Sequence, residues 1–255
     1  MPNNRTDEVV SAVVAGVRQA ILDQNVTFGE FRAAIGHLVK TAEAGELPLL
    51  IDVFFNTTVV QAINQHSAGS PSDLEGPYFL EDVPLVVGKV EMLDDDRNEP
   101  LIVRGTVRDP AGSPVAGATV FIWSSTPDGK YGGIHPGVPR NSYRARLITD
   151  AAGRFEVETT VPVPYQIPDK GPTGAMLEAM GRHSWRPAHV HFKVRADGHD
   201  EMTTQAYFAE GDYLVDDCCE GVVADELVVP RIMEGDKRLM AISLTLDHAR
   251  HKQAA

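Results

Sequence analysis

Leu101-Ile102-Val103-Arg104-Gly105-Thr106-Val107-Arg108-Asp109-Pro110-Ala111-Gly112 decides the fold class. The first eight residues are rich in β-branched side chains and predict a strand. The next four place Pro and Gly where a reverse turn uses them. Downstream, Ala118-Thr119-Val120-Phe121-Ile122-Trp123 predicts a second strand. Residues 147–149 and 154–158 flank Asp150-Ala151-Ala152-Gly153, and this pattern predicts a hairpin. Residues 203–208 and 239–246 add further strands. Short strands separated by Gly, Pro and Asp turns predict a mainly β chain, an all-β sandwich over residues 71–255.

Residues 1–70 read differently. Val9, Val10, Val13, Val14, Val17 and Ile21 recur at helical spacing. Thr27-Phe28-Gly29-Glu30 fits a capping box ahead of Phe31, Ile35, Leu38 and Val39. A third helix is expected from Leu49 to about Asn64. Irregular, proline-rich stretches, Pro162-Val163-Pro164-Tyr165 and Pro168-Asp169-Lys170-Gly171-Pro172, suit the shaping of a site better than the extension of a sheet.

Composition narrows the function. The 255 residues are 43% hydrophobic and 23% charged, ordinary for a soluble globular protein. A formal net charge of -13 without a basic stripe argues against a nucleic-acid partner. The opening Met1-Pro2-Asn3-Asn4-Arg5 lacks the apolar core of a signal peptide, and no uncharged apolar run is long enough for a membrane span. Two neighbouring cysteines, Cys218 and Cys219, rarely bridge to one another and suit a reducing cytoplasm, as small apolar wall residues.

The residues richest in chemistry are in Arg186-Pro187-Ala188-His189-Val190-His191-Phe192-Lys193-Val194. On a strand, His189 and His191 point the same way and offer a pair of metal ligands. Two imidazoles on a solvated strand face would alternate in the same manner, and two do not complete a site. His183, His199, Asp197, Asp200 and Glu201 are off the strand face or in a hydrophilic loop. Tyrosine is the other hard oxygen donor, since a bound metal favours its deprotonation. Tyr131 and Tyr165 stand between strands, yet spacing does not choose them over Tyr78, Tyr143, Tyr207 or Tyr213.

The chain resembles the intradiol ring-cleaving dioxygenases, in the branch of the catechol and chlorocatechol 1,2-dioxygenases. The resemblance covers nearly the whole length. It is carried by Glu75-Gly76-Pro77, Leu101 through Trp123, Gly129-Lys130-Tyr131, Ile148-Thr149-Asp150, Gly153-Arg154-Phe155, Pro164-Tyr165, Gly181-Arg182-His183, Arg186 through His191 and Thr203-Thr204-Gln205. The piece from Gly105 to Val120 also resembles non-catalytic transthyretin-like modules, which keeps a binding module open as an alternative. Hydroxyquinol 1,2-dioxygenases form a second alternative, within the same chemistry.

The resemblance implies one non-haem Fe(3+) per chain, held by Tyr131, Tyr165, His189 and His191, with hydroxide as a fifth ligand. Tyr165 matches the tyrosine that leaves the metal and takes a substrate proton. Arg186 matches a catalytic arginine and Gln205 a glutamine that supports the site. Leu49, Asp52, Val53, Leu74, Pro77, Tyr78, Cys218 and Cys219 match positions that line the diol pocket; small Val53 and the cysteines would leave room for a ring chlorine. Substrate and O2 would combine to a (chloro-)cis,cis-muconate. The resemblance further implies a homodimer through the amino-terminal helices, with a phospholipid in the apolar channel between them. The short helical region favours the chlorocatechol enzymes over the longer catechol enzymes.

Overall fold

A computed structural model describes residues 4–230 and 232–249. Helices α1 (Asn4–Asp23) and α2 (Phe28–Glu43) come first. The capping box at the start of α2 forms: Thr27 Oγ1 accepts from the Glu30 amide at 3.2 Å, and Glu30 accepts from the Thr27 amide at 2.8 Å. No residue of α1 is buried, so its valine stripe stands open in the single chain. The third helix runs from Leu47 to Asn64 as α3 (Leu47–Ile51), a π-helical turn (Asp52–Asn56) and α4 (Thr57–Asn64). It is long and apolar enough to cross a membrane by length and composition. Leu50, Val53, Thr57 and Val60 are nevertheless buried, and Thr57 Oγ1 donates to the Cys219 carbonyl at 2.6 Å.

Two five-stranded sheets make the sandwich. One has the order β1 (Gly88–Lys89), β5 (Arg154–Thr160), β2 (Pro100–Arg108), β12 (Lys237–Thr245), β11 (Ile232–Glu234). The other has the order β10 (Val228–Val229), β9 (Met202–Phe208), β8 (His189–Arg195), β3 (Thr119–Ser124), β4 (Arg144–Ile148). Val103 and Val107 of β2 and Val157 of β5 meet Val120 and Ile122 of β3 and Val190, Phe192 and Val194 of β8 in the core between them. The remaining elements of the described residues are β6 (Tyr165–Gln166), paired with β7 (Trp185–Arg186), α5 (Pro172–Ala179) in the proline-rich segment, and a 3-10 turn (Asp225–Leu227).

One expectation fails. Residues 147–149 and 154–158 do not form a hairpin, because β4 pairs with β3 and β5 pairs with β2, in opposite sheets. The Asp150–Gly153 turn is a corner that carries the chain across the sandwich. Gly153 has φ +72, and a β-carbon there would come within 2.4 Å of the Val107 carbonyl oxygen.

Because apolar residues of β3, β8 and β9 fill the core face, the alternate residues face outward. Cross-strand pairing places Arg144, Trp123, His191 and Gln205 in one row over four adjacent strands. His189 and Tyr207 pair in the next row. This outer face is covered by the third helix, the loops and α5.

Candidate active site

His189 and His191 are each 1% exposed, so the solvated-face alternative does not apply. Their Nε2 atoms lie 3.0 Å apart. His189 Nδ1 is 2.7 Å from the Pro187 carbonyl, which can only accept, so the proton is on Nδ1 and the Nε2 lone pair faces His191. Trp123 stacks on the His191 ring at 4.6 Å and 4°. Burial pushes the His189 pKa down to about 3, with Arg186 adding to the effect, and depresses His191 well below its ordinary value. Both rings are therefore neutral donors at physiological pH.

Two tyrosines close on this pair. Tyr131 lies in the loop between β3 and β4, 6.3 Å from His191 between ring centroids. Tyr165 begins β6 and lies 5.6 Å from His189. The two phenol rings meet edge to face at 5.5 Å. Gly129 permits the approach: it has φ +77, and a β-carbon there would come within 3.0 Å of Tyr165 Cβ. Arg144 Nη2 donates to the Gly132 carbonyl at 2.8 Å and anchors the Tyr131 loop from the sheet. The Tyr131 hydroxyl is buried with no hydrogen bond of good geometry, and Tyr165 is its main polar neighbour. Burial raises the Tyr131 pKa well above its ordinary value and pushes Tyr165 up to about 12, against the pull of Arg186.

This donor set fits a hard cation. Two imidazole Nε2 atoms converge, a buried phenol has no good partner, and a second phenol adjoins it. Among the described residues, no Asp, Glu, Cys or third His brings a ligand atom to the histidine pair. The acid and thiol group that does assemble is Asp217, Cys218 and Cys219. Both Asp217 oxygens are already engaged, by Arg186 and by the amides of Cys219 and Gly221.

Arg186 lies opposite Tyr165 in the β6–β7 pair. Its Nη2 donates to Asp217 Oδ2 at 3.0 Å and to Gln205 Oε1 at 3.1 Å. Burial opposes its charge, but Asp217 and nearby tyrosines hold its pKa well above the ordinary value. Gln205 Nε2 donates to the Leu74 carbonyl, which fixes the orientation of its amide. The expected wall residues divide. Val53, Leu74, Cys218 and Cys219 are buried in one apolar cluster with Tyr131 and Tyr165, and Leu49 and Tyr78 pack against it. Tyr78 stacks on Tyr131 at 4.4 Å. Pro77 and Asp52 are exposed and lie outside that cluster. Cys218 and Cys219 are free thiols with Sγ atoms 3.7 Å apart.

Sequence reasoning missed Asp73, Tyr207, Asp217, Arg144 and Trp123. Tyr207 was within reach, because it is two residues from Gln205 on an expected strand and so shares its face. Asp217 and Asp73 carry no such signal; loops deliver them.

Two family models match the chain: "Dioxygenase" over residues 74–248 and "Catechol dioxygenase N terminus" over residues 3–70. The chain belongs to the intradiol dioxygenase family. It is an enzyme of a family that uses non-haem iron. Chlorocatechol 1,2-dioxygenase of Pseudomonas sp. (strain P51) is 49% identical over 97% of this chain and 98% of its own length. The crystal structure of chlorocatechol 1,2-dioxygenase from Pseudomonas putida superposes with a TM-score of 0.92 at 46% identity, over 96% of this chain and all of that one. A 6-chlorohydroxyquinol 1,2-dioxygenase of Cupriavidus pinatubonensis is 32% identical, over 87% of this chain and 83% of its own.

Proposed function

We propose that this intradiol dioxygenase acts on chlorocatechols, and on catechol itself, inserting both atoms of O2 to give a (chloro-)cis,cis-muconate. The observation that carries the reading is the convergence of two neutral imidazoles and two buried phenols beside a buried arginine. The chlorinated ring is favoured by the 49% identity to an end-to-end relative of that activity, against 32% for the chlorohydroxyquinol enzyme.

We assign one ferric ion per chain to Tyr131, Tyr165, His189 and His191. When bound, it would take both diol oxygens and draw electron density from the ring, opening the ring to O2. His189 and His191 bind as neutral donors, so they leave the positive charge of the site to be balanced by oxygen ligands. As the phenolate that a bound cation would hold, Tyr165 Oη would take one diol proton, a general-base role for which its raised pKa, about 12 without the metal, makes it strongly basic; the hydroxide of the ligand set would take the other. Arg186 stays cationic and stabilises negative charge on the substrate. Val53, Leu74, Cys218 and Cys219 exclude water and bound the space for a ring substituent.

The exposed apolar stripe Val9, Val10, Val13 and Val17 supports packing of the amino-terminal helices against a second copy, with a phospholipid between them. Two free thiols and the lack of a disulfide suit work in the cytoplasm. The test is kcat/KM for catechol, 3-chlorocatechol, 4-chlorocatechol and hydroxyquinol on purified, iron-loaded protein. The chlorinated rings should lead; hydroxyquinol in first place would overturn the substrate assignment.

A further inference from the structure

Behind Arg186 lies a polar chain that the proposed reaction does not use. Asp73 is 3% exposed and lies in the segment that follows the helical region. Its Oδ1 accepts from the Leu74 amide at 2.6 Å. Its Oδ2 lies 2.7 Å from the Tyr207 hydroxyl. That hydroxyl is also 2.8 Å from Gln205 Oε1 and 2.9 Å from the Gly221 carbonyl. Gln205 Oε1 is firmly an acceptor, because its amide nitrogen faces the Leu74 carbonyl.

Three oxygens thus surround a hydroxyl that has one proton, and the only donor that faces it among its hydrogen-bond partners is Arg186 Nη2, at a long 3.5 Å. With Asp73 ionised, all three are acceptors, and two of them face oxygen lone pairs across a short gap among buried side chains. Such unpaired buried contacts are costly. A second proton relieves the conflict by one contact. Asp73 Oδ2–H then donates to Tyr207 Oη, and Tyr207 donates its own proton onward to Gln205 Oε1 or to the Gly221 carbonyl, so one lone-pair contact remains instead of two. We propose that Asp73 is a neutral carboxylic acid whose proton sets the direction of this chain, and that it is a positioning residue for Arg186, acting through Tyr207 and Gln205.

The charges around Asp73 agree with this. Arg186 and Asp217 form an ion pair of their own at 3.0 Å, so no net positive charge is left to hold a second carboxylate. Glu75 turns away to Lys193 at 2.6 Å. Burial outweighs Arg186, the Leu74 amide and Tyr207, and pushes the Asp73 pKa up to about 7. Asp217 keeps its charge because Arg186 and two amides face it.

The test combines spectroscopy with rescue. Infrared difference spectra of wild type against Asp73→Asn, with carbonyl-labelled aspartate, should show a carboxylic-acid C=O band at pH 6 that fades through about pH 7. Asp73→Ala should lower kcat by about tenfold or more, since Tyr207 and Arg186 lose their fixed orientation. Asp73→Asn, whose amide can accept from Leu74 and donate to Tyr207 as the acid does, should recover most of that loss. It should also remove the part of the pH profile that follows the band. An ionised Asp73 at pH 6, or an Asp73→Asn enzyme as slow as Asp73→Ala, would overturn the proposal. The proposal rests on Arg186 facing the diol. A wild-type protein without turnover of any diol would defeat that reading, while the infrared band decides the Asp73 proton on its own.

Discussion

Asp217→Asn isolates the ion pair on which the proposed site depends. The side chains of Arg186 and Asp217 are 4% and 1% exposed, and Arg186 donates to both carboxylate oxygens. Removing one charge of a buried pair leaves the other uncompensated, which costs about 3–5 kcal/mol. Asn retains one carbonyl oxygen, so one of the two amide contacts, from Cys219 or Gly221, survives and the loss should fall toward the lower end. With an m-value of about 2 kcal/mol/M, urea unfolding should shift its midpoint down by about 1.5 M. The sign of the pH dependence follows from the depressed pKa of Asp217. Its contribution is fully present above the unfolded value near 3.8 and is lost as pH falls through the lower folded value. Wild type and Asp217→Asn should therefore converge in stability only in strong acid. A midpoint within about 0.3 M of wild type at pH 7, with kcat unchanged, would refute the view that this pair is desolvated and holds Arg186 in place.

Other predictions test the remaining parts of the site. Iron-loaded protein should be wine-red from phenolate-to-iron charge transfer; Tyr165→Phe should change that spectrum and sharply lower turnover, and a colourless protein holding stoichiometric zinc would defeat the ligand assignment. Removing the metal with a chelator should lower Tm, because a ligand that binds only the folded chain stabilises it in proportion to its affinity; an unchanged Tm would count against a preformed site. Enlarging the wall by Val53→Phe should lower kcat/KM for 3-chlorocatechol relative to catechol, by an amount of about 1–3 kcal/mol in discrimination. Asp73 titrates near 3.8 unfolded and about 7 folded, so between these values the folded chain holds the extra proton and stability falls as pH rises. The slope from this group is at most about 1.4 kcal/mol per pH unit, and urea titrations of Asp73→Asn should lack it.

The sandwich was legible because its strands announce themselves locally. Residues 101–108 and 118–123 alternate or run apolar between Pro/Gly turns, and both are strands. The partner of a strand is not a local property. Residues 147–149 and 154–158 look like any hairpin, but the four-residue turn between them is a corner, and no pattern in those residues distinguishes the two. The same holds at the site. Strand geometry alone aligned His189 with His191. Tyr131 and Tyr165 arrive on loops whose path depends on Gly129 and on Arg144 reaching across from β4. Family resemblance chose them where spacing did not. Asp217 and Asp73 lie far apart in sequence and are linked through Arg186, Gln205, Tyr207 and the Gly221 backbone.

Charge neutrality ties the pieces together. The site is almost closed to water, so any net charge in it is expensive. Arg186 is cancelled by Asp217, and Asp73 is neutral on the proton count given above. Both histidines are neutral. On the proposed ligand set, three positive charges then have to be met by oxygen. A doubly deprotonated diol and the Tyr131 phenolate supply three negative charges, which balance only if Tyr165 has taken a proton and become neutral. Its position next to Arg186 in the β6–β7 pair suits that exchange, since the guanidinium favours the phenolate before substrate binds and the diol dianion afterwards. An ionised Asp73 would add an uncompensated negative charge behind Gln205. It would thereby weaken the field that Arg186 presents to the diol. The proton on Asp73 and the mobility of the proton at Tyr165 are thus two consequences of one constraint, the need to keep a dry site neutral while a dianion enters it.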